Sequence, residues 1–209
     1  MPISRPKPNA IELLSYKDTE FKDCIPLADS QLVNGNGNAI EIDPITRALT
    51  TITYAHHELH EGDMYLAFHR IDLSNGQVFN FSVITPNTTK WPHMVIEADA
   101  EFETMMQIWE APTLSNNGTP KAAYNKNRNV VNPATTIVNH TPTVTATGST
   151  LIFEDQWGSG KKVGGGARAL EEWIFKQNTK YLVRFTNMAT TANYLVVHFN
   201  WYEHQSRTD

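Results

Sequence analysis

Three histidines and three acidic residues fall within nine positions of this chain, in the stretch AHHELHEGD at Ala55–Asp63. Histidine is the commonest protein metal ligand and a frequent acid–base catalyst, so this stretch is the first candidate for chemistry. The helical zincin motif is His-Glu-x-x-His, but here the second histidine, His60, follows His57 after three positions. The flanking residues are strand-like, and on a strand His56, Glu58 and His60 would share one face. The stretch therefore predicts a polar strand end that contacts a neighbouring subunit.

A metal site at His56 and His60 is the minor alternative. A distant histidine, His69, His93 or His198, would supply a third ligand, as in the cupins, which are jelly rolls. The usual cupin spacing, His-x-His followed by Glu, is absent from this neighbourhood. We therefore predict no cofactor and keep the metal site as an alternative.

Two other catalytic motifs are incomplete or absent in this sequence. The glycine-rich segment at 158–166, GSGKKVGGG, resembles a phosphate-binding loop, but Gly160-Lys161 is followed by Lys162 where the motif needs Ser or Thr. No G-x-S-x-G nucleophile elbow is present, and the single cysteine, Cys24, has no histidine nearby in sequence. These motifs therefore give little support to phosphate binding or nucleophilic catalysis, while a glycosidase stays open because its two carboxylates come from distant strands.

Composition narrows the possible partners. The chain has 209 residues, and a net charge of −5 without any Lys/Arg run longer than two argues against nucleic-acid binding. One cysteine excludes an internal disulfide framework. The apolar runs are too short for a membrane span, and no signal peptide begins the chain, so we expect synthesis in the cytoplasm and no membrane partner.

Most of the chain has the period-two pattern of β-strands. The segment QVFNFSVITP, Gln77–Pro86, places one set of residues on a single face: Phe79, Phe81 and Val83. The strongest strand, Asn193–His204, turns another set toward a core: Leu195, Val197, Phe199 and Trp201. The many strands and long loops predict an all-β fold, an antiparallel β-sandwich that is jelly-roll-like.

The remaining segments have their own predictions. Glu171–Asn187 predicts a hairpin with QNTK as its turn, and Thr113–Thr141 predicts a long loop. Three prolines among the first eight residues predict an extended N-terminal arm. We place the arm at residues 1–44 and the sandwich at 45–209.

Several motifs together resemble a family of tailed-bacteriophage virion proteins that are encoded near the major capsid protein. They are YAHHELHEG at Tyr54–Gly62, TPNTTKW at Thr85–Trp91, NKNRN at Asn125–Asn129, the glycine-rich loop at 158–166, and WYEH at Trp201–His204. The resemblance covers roughly residues 45–204. It implies a capsid decoration or cement protein on the exterior of the virion, with no enzymatic activity.

The resemblance also implies partners, namely the major capsid protein and further copies of the same chain, as a homotrimer. The residues expected to contact a subunit or the capsid are His56, His57, Glu58, His60, Trp91, Trp157 and Arg168. A receptor- or glycan-binding fibre or tail module, using exposed aromatic residues, is the second hypothesis. A cupin-like metalloprotein is the third.

Overall fold

The computed structural model describes residues 54–148, 150–158, 166–168 and 172–205, with the backbone alone for Tyr54, 166–168 and Gln205. The predicted arm and its boundary at residue 44 lie outside these residues. One helix and fourteen strands are described: α1 Tyr54–Glu61, β1 Met64–Leu73, β2 Val78–Ile84, β3 Lys90–Ala100, β4 Thr104–Glu110, β5 Thr113–Asn116, β6 Thr119–Pro120, β7 Tyr124–Asn125, β8 Ile137–His140, β9 Thr143–Ala146, β10 Thr150–Trp157, β11 Gly166–Arg168, β12 Trp173–Ile174, β13 Lys180–Asn187 and β14 Asn193–Gln205.

Eight strands form two antiparallel sheets, in the orders β1-β14-β3-β11 and β2-β13-β4-β10. The chain changes sheet at each step from β1 to β4, again from β10 to β11, and again from β13 to β14. This connectivity is that of a jelly roll. The predicted all-β fold, an antiparallel jelly-roll sandwich, is therefore confirmed. Short strands extend both sheets, and β5 pairs with β9 in a separate ribbon.

The core lies between the two sheets, and the alternation read from the sequence is correct. Of the predicted β2 face, Phe81 and Val83 are fully buried and Phe79 is half-buried against the core. The predicted inward set of β14 is fully buried. The Phe81 ring meets Phe185 and Phe199 edge to face, with centroids 6.0 and 5.1 Å away. Burial of these apolar side chains is the main stabilising term for such a sandwich.

Two local predictions are wrong. Glu171–Asn187 is not a hairpin, because β12 pairs with β3 in one sheet whereas β13 pairs with β2 and β4 in the other. The turn at Gln177–Asn178 instead carries the chain between sheets, as jelly-roll corners do. The predicted loop Thr113–Thr141 contains four short strands, β5 to β8, each of which pairs with another strand.

One end of the sandwich gathers the polar residues of interest. Strands β1 and β3 begin there, β14 ends there, and α1 precedes β1 and contacts β1 and β14. We call this the helix end, defined by Met64, Lys90 and Gln205.

Candidate functional site at the helix end

The stretch AHHELHEGD forms a helix, so its prediction as a strand is wrong. The helix closes with a Schellman motif, in which Asp63 N–H donates to Glu58 O (3.0 Å) and Gly62 N–H to Leu59 O (3.3 Å). Gly62 has φ +82°, the left-handed conformation that this motif requires. A Cβ at Gly62 would lie 2.5 Å from Cγ1 of Val130, so only glycine fits here.

A loop of asparagines caps the carbonyl end of α1. Asn127 Nδ2 donates to His60 O (3.0 Å), and Asn125 Nδ2 donates to Gly62 O (2.6 Å). These bonds satisfy backbone carbonyls that a helix end leaves without intrahelical partners. The side-chain oxygens of Asn125 and Asn127 accept from the backbone N–H two residues later, at Asn127 and Asn129, which fixes the loop. The helix motif Tyr54–Gly62 and the asparagine loop Asn125–Asn129 are distant in sequence but are joined by these hydrogen bonds.

The helix also rearranges the histidines. His56 and His60 are exposed and one turn apart, with their Nε2 atoms separated by 2.9 Å. His57 Nε2 lies 3.3 Å from Glu61 Oε1, again at a spacing of four. Glu58, predicted to share a strand face with His56 and His60, is buried instead. His57, Glu58 and Glu61 bring one ligand atom each within 4.8 Å of one another, so these three residues could hold a cation.

Glu203 anchors the end of β14. Its buried carboxylate accepts hydrogen bonds from the backbone N–H groups of Thr135 and Thr136, from the Thr135 hydroxyl and from the Trp201 indole. A buried carboxylate is stable only with such partners. The C-terminal motif thus fixes the loop before β8 against the first sheet.

His93 and His204 form a second histidine pair on the outer face of the first sheet. His93 Nδ1 contacts Glu172 Oε1 and lies 3.0 Å from the Tyr202 hydroxyl, while His93 Nε2 lies 2.7 Å from His204 Nε2. Tyr202 also donates to Glu172 Oε1, at 2.8 Å. From the sequence, His93 was considered only as a third ligand for His56 and His60; its partners here lie far apart in the chain, and no local pattern joins them.

The turn motif Thr85–Trp91 joins the same end. The Thr85 hydroxyl donates to the carbonyls of Lys176 (2.6 Å) and Thr179 (3.0 Å), which ties β2 to the corner before β13. Lys90 Nζ contacts Asp63 Oδ2 at 2.7 Å, next to the helix cap. Four of the five motifs of the resemblance thus meet at the helix end, and the fifth, at 158–166, lies almost wholly outside the described residues.

A third histidine pair lies elsewhere, on the strands nearer the middle of the sandwich. The rings of His69 and His140 stack with centroids 4.8 Å apart, and His69 also contacts Phe79 and Phe81. Burial, followed by Lys121 and His140, lowers the pKa of His69 to about 4. Burial and Lys121 lower the pKa of His140 as well. Both shifts favour the neutral form of the imidazoles.

The residues expected to contact a subunit or the capsid differ in their exposure to solvent. His56, His60 and Trp91 are exposed, with Trp91 40 % exposed, and His57 is half-buried. Trp157 is buried in the core, as Glu58 is buried under the helix, so both offer little surface. Arg168 lies in β11 opposite Glu97, and its side chain is outside the described residues.

An exposed aromatic pair on the outer face of the first sheet was not predicted. Phe68 and Tyr124 are 48 % and 46 % exposed, and their rings stack with centroids 5.9 Å apart. His198 lies beside Phe68, at 6.5 Å between centroids. The signal in the sequence was weak, because Phe68 occupies an outward position in an otherwise ordinary alternating strand.

Comparisons with protein-family models, with curated proteins and with solved structures found no match for this chain. Among the helices described by the structure, none is long and apolar enough to cross a membrane.

Proposed function

We propose that the protein is a structural component of a tailed-bacteriophage virion. In this proposal it binds the exterior of the assembled head as a homotrimer and reinforces contacts between major capsid subunits. One observation carries the proposal: the motifs that resemble virion proteins use their polar side chains to hold one another at the helix end. Asparagines cap α1, Glu203 fixes the Thr135 loop and Thr85 fixes a corner. Such bonds satisfy the polar groups of the loops at this end and connect these loops to one another.

The fold gives further support by analogy. Jelly rolls occur in viral capsid proteins, but also in lectins and cupins, so the fold alone does not define a function. The helix end presents His56, His60 and Trp91 to solvent. A surface of this kind, fixed before binding, loses little conformational entropy when a capsid covers it.

The direct test mixes the purified protein with undecorated heads of the phage that encodes it. We expect co-sedimentation and a rise in the melting temperature of the heads, because a ligand that binds only the assembled shell stabilises it by mass action. Light scattering of the free protein should give the mass of a trimer. If no protein sediments with the heads, the proposal is wrong.

Two matched variants locate the binding surface. Trp91 lies at the helix end and Met188 follows β13 at the opposite end, and they are similarly exposed, 40 % and 44 %. We expect Trp91→Ala to weaken attachment and Met188→Ala to leave it unchanged. The reverse result would place the capsid contact at the other end. A chain lacking residues 1–26 tests separately whether the predicted arm anchors the protein.

A receptor- or glycan-binding module is the second candidate, and the exposed Phe68–Tyr124 stack favours it. Aromatic rings on an outer sheet face can pack against sugar rings. Binding to host cells or glycans that is lost in Phe68→Ala, together with no attachment to heads, would select this candidate over the first.

A further inference from the structure

The group around His93 is arranged by the pairing of β3 with β14. Tyr202 lies opposite His93 in the register, and His204 lies opposite Trp91. Their neighbours Met94 and Trp201 point into the core, so strand alternation places His93, Tyr202 and His204 together on the outer face. The rings are close, with centroids 4.6 Å apart for His93 and Tyr202 and 4.4 Å apart for His93 and His204.

One nitrogen of His93 is held by a carboxylate. His93 Nδ1 contacts Glu172 Oε1, and the Tyr202 hydroxyl donates to the same oxygen. A carboxylate that accepts from Nδ1–H fixes the ring orientation and directs the lone pair of Nε2 outward. The same carboxylate–histidine arrangement supports histidine ligands in metal sites. His93 is itself 8 % exposed, so its ring is held in place by packing as well.

The other nitrogen of His93 faces a second imidazole. The two Nε2 atoms are 2.7 Å apart, and two lone pairs at that distance would repel each other. A proton on one of the two nitrogens makes this contact a hydrogen bond, and a cation can take the place of that proton if the pair opens. We propose that His93 and His204 bind a divalent d-block cation, such as Zn²⁺, through their Nε2 atoms, with Glu172 and Tyr202 as the groups that orient His93. The proposal is independent of capsid binding.

The geometry suits a cation of this class. Imidazole nitrogens bind Zn²⁺ at about 2.0–2.1 Å, so two ligands at a tetrahedral angle would be about 3.4 Å apart. The two Nε2 atoms are 2.7 Å apart, so they must separate by roughly 0.7 Å to reach that spacing. His204 can make this movement, because it is only half-buried and is followed by the last residue of β14. Water would fill the remaining positions, and imidazole ligands select Zn²⁺, Cu²⁺ and Ni²⁺ over Mg²⁺ and Ca²⁺.

The test uses the full-length chain, first treated with a chelator and then titrated with ZnCl₂ in a calorimeter. We expect one ion to bind per chain through this site, with a rise in melting temperature, because binding to the folded state alone stabilises it. Titration with Co²⁺, followed by visible absorption, reports the ligand geometry independently. MgCl₂ should give no binding. An absence of both Zn²⁺ heat and Co²⁺ absorption would overturn the proposal.

Four variants assign the ligands. His204→Ala should abolish binding, and this residue lies near a strand end, where the fold tolerates truncation best. Glu172→Gln should weaken Zn²⁺ binding about 10–100-fold while leaving the stoichiometry unchanged, the effect expected for a group that orients a ligand. Tyr202→Phe should weaken binding less. His60→Ala is the matched control, since it removes one member of the other close histidine pair.

The control also separates the two pairs of histidines. If His204→Ala binds Zn²⁺ like the unaltered chain and His60→Ala does not, the cation belongs to α1 and the assignment to His93 and His204 is wrong. If His204→Ala loses binding and Glu172→Gln retains full affinity, the histidines are ligands but the orienting role of Glu172 is wrong. Circular dichroism of each variant checks that the fold is intact.

Discussion

Two histidine pairs at the helix end reach similar nitrogen separations by different means. His56 and His60 are exposed on one turn of α1, with Nε2 atoms 2.9 Å apart. His93 and His204 lie on neighbouring strands, with Nε2 atoms 2.7 Å apart and Glu172 on the far nitrogen of His93. The first pair is brought together by the helical repeat, which places residues four apart on one face. The second needs a sheet register, an anchored strand end and a distant carboxylate.

This difference shows that the separation of two ligand atoms is a weak criterion for a site. An exposed pair on a helix is restrained less than a packed pair, so it loses more side-chain entropy when it binds. In the second pair His93, which is held by packing and by a carboxylate, has already lost that freedom when the chain folds. The groups that fix the helix end can be removed one at a time by substitution.

Removal of the Glu203 carboxylate should have the largest effect. Glu203→Ala leaves the buried N–H of Thr136 and the buried Trp201 indole without this acceptor, and also removes the bonds from Thr135. We expect a loss of about 3 kcal/mol or more in the free energy of unfolding, measured in urea.

The matched control for that change is Glu154→Ala, since Glu154 is an exposed acceptor for Gln107. It should change stability by less than about 0.5 kcal/mol. Equal losses in the two variants would mean that the end of β14 is not anchored by Glu203.

A pair of glycine variants tests the closure of α1. Gly62 and Gly76 both have positive φ, +82° and +67°, but only a Cβ at Gly62 meets a neighbour, Val130. Gly76→Ala should lose about 1 kcal/mol from the left-handed backbone alone. Gly62→Ala should lose about 1–3 kcal/mol more from overpacking. Thermal and urea unfolding of both variants gives the difference, and equal losses would mean that Val130 moves aside without cost.

The sequence predicts some elements of the fold and misses others. Strands β2, β13 and β14 follow from period-two patterns. Burial alternates strictly in β14 from Asn193 to Trp201, whereas β2 and β13 also bury an intervening residue, Ser82 and Leu182. The helix was missed because its eight residues, rich in histidine and glutamate, have no clear apolar repeat, although Gly62 in the sequence HEGD is a C-terminal helix signal. Contacts such as Glu172 with His93 join distant segments, and no local pattern encodes them. The QNTK turn joins two sheets with the same residues that would close a hairpin.

Burial of His69 in the stacked pair His69–His140 should make the stability of the fold depend on pH. Burial lowers the pKa of His69 to about 4 from its usual 6.5, so the unfolded chain binds a proton at a higher pH than the folded chain does. Stability should therefore be unaffected by this group above pH 6.5 and should fall as the pH drops from 6.5 toward 4. Urea unfolding at several pH values measures the slope. His69→Phe should flatten it, and an unchanged slope would exclude His69 as its source.

The smallest effect is expected at the exposed ion pair of α1. Glu61→Gln removes the charge that His57 faces at 3.3 Å, where both side chains are substantially exposed, 42 % and 56 %. Solvent screens such a pair, so the expected loss is below about 0.5 kcal/mol in urea unfolding at neutral pH. Glu61 and Glu203 are the same residue type at the same end of the sandwich, so the two variants contrast a screened surface charge with a buried, hydrogen-bonded carboxylate. A loss above 1 kcal/mol for Glu61→Gln would show that charge on the helix, and not only its Schellman closure, positions the exposed histidines.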